Sequence, residues 1–230
     1  MKKMKVMILT LCAGIVMAGC NNLAKGTAIG AAGGAVLGAI VGKVAGNTAV
    51  GAAVGTAVGA GTGALIGKHM DKVKKEAEAV KNAQVESVTD ANGLQAVKLT
   101  FDSGILFATN KSDLNANSKA ALNQCATLLK NNADCDIAIF GHTDNTGSDA
   151  INNPLSVKRA QAVESYLKSQ GVTAAQIRTV DGQGSTNPVA DNSTAAGRQQ
   201  NRRVEIYMYA SQAMIQAAEA GTVKYLIISN

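Results

Sequence analysis

The sequence predicts an α+β domain, one sheet with helices packed on one face, preceded by a helical hairpin of glycine-zipper type. Three patterns carry this. Val97, Leu99 and Phe101 alternate with Lys98 and Thr100, and Val204, Ile206 and Met208 alternate with Arg203, Glu205 and Tyr207, as half-buried strands do. Between these two runs Leu122, Cys125, Ala126 and Leu129 recur at helical spacing. Upstream, eleven glycines keep a four-residue beat: Gly26, Gly30, Gly34, Gly38, Gly42 and Gly46, then after one extra residue Gly51, Gly55, Gly59, Gly63 and Gly67.

Taken in order, residues 1–19 read as a signal peptide. Lys2, Lys3 and Lys5 precede an apolar stretch from Val6 to Met17, and Met17-Ala18-Gly19-Cys20 closes it. The cysteine resembles that of a bacterial lipobox, which implies cleavage before Cys20 and acylation of it. Several acyl chains on one residue anchor durably where one is marginal. Asn21, where an aspartate would imply retention in the inner membrane, implies sorting to the outer membrane. Removing residues 1–19 takes away three lysines and no acids, so the formal charge falls from +6 to +3. That is too mild to argue for nucleic acid as a partner.

Residues 20–67 form the lipidated N-terminus and the zipper. Each glycine inside a helix costs about 1 kcal/mol against alanine, so the spacing needs close backbone packing to offset it. Residues 26–67 carry one charge, Lys43, and the beat slips at Gly46-Asn47-Thr48, which divides them into two helices. The first, about 20 residues, would measure about 30 Å, enough to cross a hydrocarbon core. Membrane insertion, assembly into a homo-oligomer outside the bilayer and a flexible spacer all remain open. Residues 68–93 then switch to charged, alanine-rich composition and read as a solvated helical linker.

Within residues 94–210 the further elements are a short apolar strand at 135–141 and a helix from Asn153-Pro154, read as N-cap and first-turn proline, to about Gln170. A strand at Ile177 to Val180 and a polar loop at 181–201 follow. Residues 211–230 are an extension, a short helix at 211–220 and then an apolar strand-like tail at 223–228.

Chemistry concentrates behind the 135–141 strand, where GHTDNTG (141–147) places His142, Thr143 and Asp144 at a strand's carboxyl end. Arg159 lies four residues from both Leu155 and Val163 on the apolar face of the following helix. A guanidinium there needs an anionic partner. Asp144 could supply it, or the arginine could await a ligand carboxylate, which its planar fork matches. His142 has one other histidine in the chain, His69, in the linker, so no metal site is assigned and no cofactor. No nucleophile elbow or triad spacing is present, and the GQG at 182–184 reads as a turn rather than a nucleotide fingerprint, so no enzyme activity is expected. Cys125 and Cys135 share one apolar side, and a disulfide or two buried thiols both fit.

Residues 139–163, IFGHTDNTGSDAINNPLSVKRAQAV, with the opening segment FDSGILFATNKSDL (101–114) and the closing segment GRQQNRRVEIYM (197–208), resemble the OmpA-like peptidoglycan-binding domain. The zipper and lipobox in front resemble the YiaD-type lipoproteins. The resemblance implies a βαβαβ(α)β domain with one mixed sheet. It further implies that Asp144 and Arg159 clasp the zwitterionic end of diaminopimelate in the peptidoglycan stem peptide, with Asn110, Thr143, Asn152 and Leu155 lining the pocket. Ala108 stands where many relatives carry an acid. Arg198, Arg202 and Arg203 belong to the closing motif, with Arg203 expected to be solvated or to support the fold. The function so implied is an outer-membrane lipoprotein tethering membrane to wall. The alternative is a self-assembling zipper element or channel that wall binding merely positions.

Overall fold

The computed structural model describes residues 60–90, 93–107 and 110–222. The signal peptide, Cys20, the first zipper helix and the tail at 223–228 lie outside the described residues. Elements run in the order α1 (Ala60–Ala77), β1 (Ala83–Thr89), β2 (Gln95–Asp102), α2 (Ser103–Leu106), α3 (Ala116–Asn131), β3 (Cys135–Gly141), α4 (Asp149–Ser169), a 3-10 turn (Ala174–Gln176), β4 (Ile177–Gly182), α5 (Ala195–Asn201), β5 (Arg203–Ala210) and α6 (Gln212–Glu219). The five strands form one sheet in the order β1-β2-β5-β3-β4. Only the β3–β4 pair is parallel, with Ile139 opposite Val180. The expected mixed sheet in an α+β domain is therefore what the chain forms.

Helices cover one face. Val97, Leu99 and Phe101 of β2, Ile137 and Ile139 of β3, and Val204, Ile206 and Met208 of β5 share a single buried cluster with Leu122, Cys125 and Leu129 of α3, and Val163 and Leu167 of α4. The C-terminal helix α6 joins it through Met214 and Ile215. Side chains of opposite parity, Ala96, Ala138, Phe140 and Tyr207, make a smaller cluster on the other face. Phe140 and Tyr207 meet edge to face at 5.8 Å between centroids, a favoured aromatic geometry.

The reading of residues 68–93 as a solvated linker is corrected. Ile66, Met70, Val73 and Ala77 recur at helical spacing on α1 and are fully buried in the main core. Their stripe is narrow and matched one for one by Lys68, Lys72, Lys74 and Lys75, which disguised it as a solvated helix. Asn82 then takes a positive φ of 62°, a conformation asparagine tolerates better than most residues. β1 follows as an edge strand, with Val85 opposite Leu99. No helix among the described residues is long and apolar enough to cross a membrane. Gly63 and Gly67 lie within α1, where a Cβ on Gly67 would meet the Gln95 side chain at an ordinary 3.5 Å.

Two other elements differ from expectation. α4 begins at Asp149 behind Ser148, so Pro154 is inside the helix and not at its first turn. The preceding turn is closed by the Ile151 and Asn152 amides donating to the Ser148 carbonyl, and Pro154 leaves the Ala150 carbonyl without its i+4 donor. β5 is buried on both sides because it is the central strand, so its polar alternate residues are enclosed rather than solvated.

Glycine fixes how closely α4 approaches the strand ends. A Cβ on Gly141, the last residue of β3, would overlap the Ser156 carbonyl oxygen, and one on Gly182, the last of β4, would overlap the Val157 amide. Because these are backbone atoms, no side-chain rotation relieves the overlap. Gly141→Ala is expected to cost about 1–3 kcal/mol, the range for overpacking a filled site, measured as a lowered midpoint in urea unfolding.

Candidate functional site

The close approach of α4 sets the site. Beyond Gly141 the chain stays registered with its neighbours: the His142 amide donates to the Arg203 carbonyl at 2.9 Å and the Thr143 amide to the Gly184 carbonyl at 2.8 Å. Asp144 then turns the chain, its Oδ1 accepting from the Thr146 amide at 2.8 Å. Gly147, at a φ of 89°, completes the turn into Ser148 and α4.

Asp144 and Arg159 are both nearly enclosed, at 6% and 3% exposure. They are not ion-paired with each other. Asp144 Oδ2 takes its charge-assisted hydrogen bond from Arg202 Nη1. Burial alone would raise the Asp144 carboxyl, but Arg202 and the Thr146 hydrogen bonds hold it below its ordinary range. Arg159 donates through Nε to the Lys111 carbonyl at 3.2 Å and lies 5.3 Å over the Phe107 ring. No carboxylate among the described residues forms an ion pair with it. Burial and the Arg202 charge depress its guanidinium, with Asp144 opposing them. The cluster thus holds two guanidinium groups against one carboxylate.

Around it are polar atoms with no protein partner. Thr143 Oγ1 and Asn152 Nδ2 are buried and unbonded, a costly state unless a ligand or water completes it. Asn110, at a φ of 56°, and the half-buried Leu155 lie instead on the wall of an open cleft of about 570 Å³, shared with Lys111, Ser112, Asp113, Ile151 and Lys158. Asp144 and Arg159 do not line that wall. Each is one hydrogen bond behind it, through Thr146 and Lys111 respectively. The six expected site residues therefore fall into a buried polar group and a flanking cleft.

Arg202 is the residue that sequence reasoning undervalued. It was one of three arginines in the closing motif, and only its position just ahead of β5 distinguishes it. Arg198 donates instead to the Asn192 and Ser193 carbonyls. Arg203, expected to be solvated or fold-supporting, is buried and does the latter: its Nε donates to Glu205 Oε1 at 2.7 Å, and its other nitrogens to the Asn187 and Asn201 carbonyls. Asn201 organises the 181–201 loop, accepting from the Val189 and Ala190 amides and donating to the Ala190 carbonyl.

His142 belongs to this structural network. Its Nε2 stands 3.4 Å from Glu205 Oε2, outside hydrogen-bond geometry. Burial lowers its pKa against the pull of Glu205, so it is neutral at neutral pH. Cys125 and Cys135 are both buried and both free thiols in this structure. Burial pushes the Cys125 thiol up to about 12.

Residues 106–202 match the model of the OmpA family, and residues 1–71 match that of the YMGG-like Gly-zipper. The peptidoglycan-binding protein ArfA of Mycobacterium bovis is 44% identical over 111 residues, 48% of this chain and 34% of ArfA. The probable lipoprotein YiaD of Escherichia coli is 36% identical over 141 residues, 61% of this chain and 63% of YiaD. The chain thus spans about a third of the former and under two thirds of the latter. Among solved structures, the cell wall anchor of the T6SS from Pseudomonas aeruginosa matches with a TM-score of 0.51 at 26% identity, covering 62% of this chain and 97% of that one. The family models thus divide the chain into a YMGG-like Gly-zipper over residues 1–71 and an OmpA-family domain over residues 106–202.

Proposed function

We propose that the protein is an outer-membrane lipoprotein that binds peptidoglycan without catalysis, gripping the diaminopimelate of the stem peptide and tethering membrane to wall. The observation that carries this reading is Arg159: a buried guanidinium with one backbone hydrogen bond and, among the described residues, no carboxylate paired with it. A ligand carboxylate would complete its fork. The ligand ammonium would take the lone pairs that Asp144 has left after binding Arg202 and Thr146. Thr143 Oγ1 and Asn152 Nδ2 stand ready for the remaining polar atoms of the ligand. The wall-binding names of ArfA and of the secretion-system anchor agree with this chemistry, as does the lipoprotein YiaD with a lipid anchor at Cys20. Outer-membrane attachment through Cys20, with the OmpA-family domain in the periplasm, places the site within reach of the wall.

The test is co-sedimentation of the mature chain, in detergent, with purified sacculi of the diaminopimelate type. Wild-type protein is expected in the pellet, and folded Asp144→Ala and Arg159→Ala variants in the supernatant. Wild-type protein left in the supernatant would sink the wall-binding reading and shift attention to the zipper as a self-assembling membrane element. Sacculi with lysine in place of diaminopimelate separate the finer claim, because the lysine side chain lacks the terminal carboxylate that Arg159 would bind. They are expected to bind poorly.

A further inference from the structure

Docking of α1 onto the domain brings His69 together with two adjacent side chains, Asp134 and Cys135, far from it in sequence. His69 of α1 meets Asp134 and Cys135 at the start of β3. His69 Nε2 is 3.4 Å from Asp134 Oδ2 and 3.9 Å from Cys135 Sγ, and the three ligand atoms all lie within 4.8 Å of one another. Tetrahedral zinc, with bonds of about 2.0–2.1 Å to nitrogen or oxygen and about 2.3 Å to sulfur, separates its ligand atoms by about 3.3–3.6 Å. We propose that His69, Asp134 and Cys135 form a binding site for a borderline divalent transition metal, zinc foremost, that clasps α1 to the wall-binding domain. This inference stands apart from the diaminopimelate reading.

Donor chemistry and charge both favour it. Imidazole, carboxylate and thiolate together suit zinc better than magnesium or calcium, which take oxygen. A thiolate and a carboxylate balance a dication, so the loaded site is neutral and its burial is not penalised as an unpaired charge would be. Cys135 is fully enclosed and His69 is 8% exposed, while Asp134, with a quarter of its side chain open, gives access and room for a water as fourth ligand. On binding, the Cys135 S–H bond breaks, an S–metal bond forms and the proton leaves to water. Asp134, Asp136 and Glu76 around the thiol make a field that a cation relieves, and Lys72 faces Asp134 from α1. The same seam is held by Asn132 Nδ2 donating to Glu76 Oε2 at 2.9 Å. Metal would therefore stiffen the joint between the zipper segment and the domain.

The experiment titrates the metal-free mature chain with Co²⁺. Expected are one equivalent bound, visible bands of tetrahedral intensity, a thiolate-to-cobalt charge-transfer band in the near ultraviolet, and displacement of all of them by Zn²⁺. Cys125→Ser should leave the spectrum unchanged, whereas Cys135→Ser should remove the charge-transfer band and His69→Asn the tetrahedral spectrum. Asp134→Asn, at a part-exposed position that leaves the core untouched, should weaken binding while retaining the thiolate band. Absence of the charge-transfer band in folded wild-type protein would overturn the proposal, and so would its loss in Cys125→Ser. Wall sedimentation is read separately and does not bear on either result.

Discussion

Glu205→Gln is expected to destabilise the domain by about 3–5 kcal/mol, the cost of removing one partner from a buried ion pair. Glu205 lies on the central strand, 3% exposed, accepting from Arg203 Nε and Tyr207 Oη at 2.7 Å each. Glutamine keeps the shape and one acceptor oxygen but leaves the Arg203 guanidinium, itself 3% exposed, with carbonyl oxygens alone and no counter-charge. The measurement is urea unfolding at neutral pH, and a loss under about 1 kcal/mol would mean that those carbonyls suffice. The pH dependence has a definite sign. Burial would raise the Glu205 carboxyl, but His142, Arg203 and Tyr207 together hold it far below the usual range. A depressed carboxylate contributes stability that is present above its unfolded value of about 4.3 and is lost as pH falls toward its folded value. Buried His142, also depressed, resists protonation in the folded state, so stability already begins to fall below its unfolded value of about 6.5. Wild-type stability should therefore decline in two stages on acidification, and Glu205→Gln should flatten the lower one.

Much of this architecture is legible in the sequence, and the failures share one cause. Strands β2, β3 and β4 and helix α3 appear where their apolar periods place them, because each has a face of its own turned to the core. β5 also appears in place, yet its alternation reads as a strand with only one buried face. Alternation reports only one buried face and cannot reveal that Arg203, Glu205 and Tyr207 are enclosed by a second. α1 and β1 fail for the converse reason. Four buried apolar residues on α1 sit among lysines, and β1 offers only Val85 and Val88, so composition hides elements that the tertiary packing stabilises. With α1 assigned to solvent, His69 could not be placed beside Cys135. At the candidate site the strand-end loop and the arginine on α4 were readable from spacing. Their relation was not, since Arg202 holds Asp144, which was one of two partners open to Arg159.

That exchange of partners predicts unequal roles for the two arginines. Arg159→Ala is expected to weaken binding of diaminopimelate-type stem peptide by about 2–5 kcal/mol, roughly thirtyfold to a few thousandfold in Kd, because it strands a buried ligand carboxylate. Arg202 acts one step removed. It holds Asp144 by a single charge-assisted bond from a side chain 38% exposed, and removing such a bond costs about 1.5–3 kcal/mol, roughly ten- to a hundredfold. Conservative replacement separates the two. Lysine at 202 can still place one ammonium donor on Asp144 and should recover most of the affinity. Lysine at 159 cannot reproduce a planar fork that spans the Lys111 carbonyl and a ligand carboxylate at once, and should recover little. Calorimetric titration of the four variants with a soluble stem peptide measures both ratios. Equal losses for Arg159→Ala and Arg202→Ala, with neither rescued by lysine, would mean that the two guanidinium groups act as one positively charged patch. A lack of effect at 159 would remove that residue from the ligand and leave Asp144–Arg202 as a tie between the strand-end loop and the start of β5.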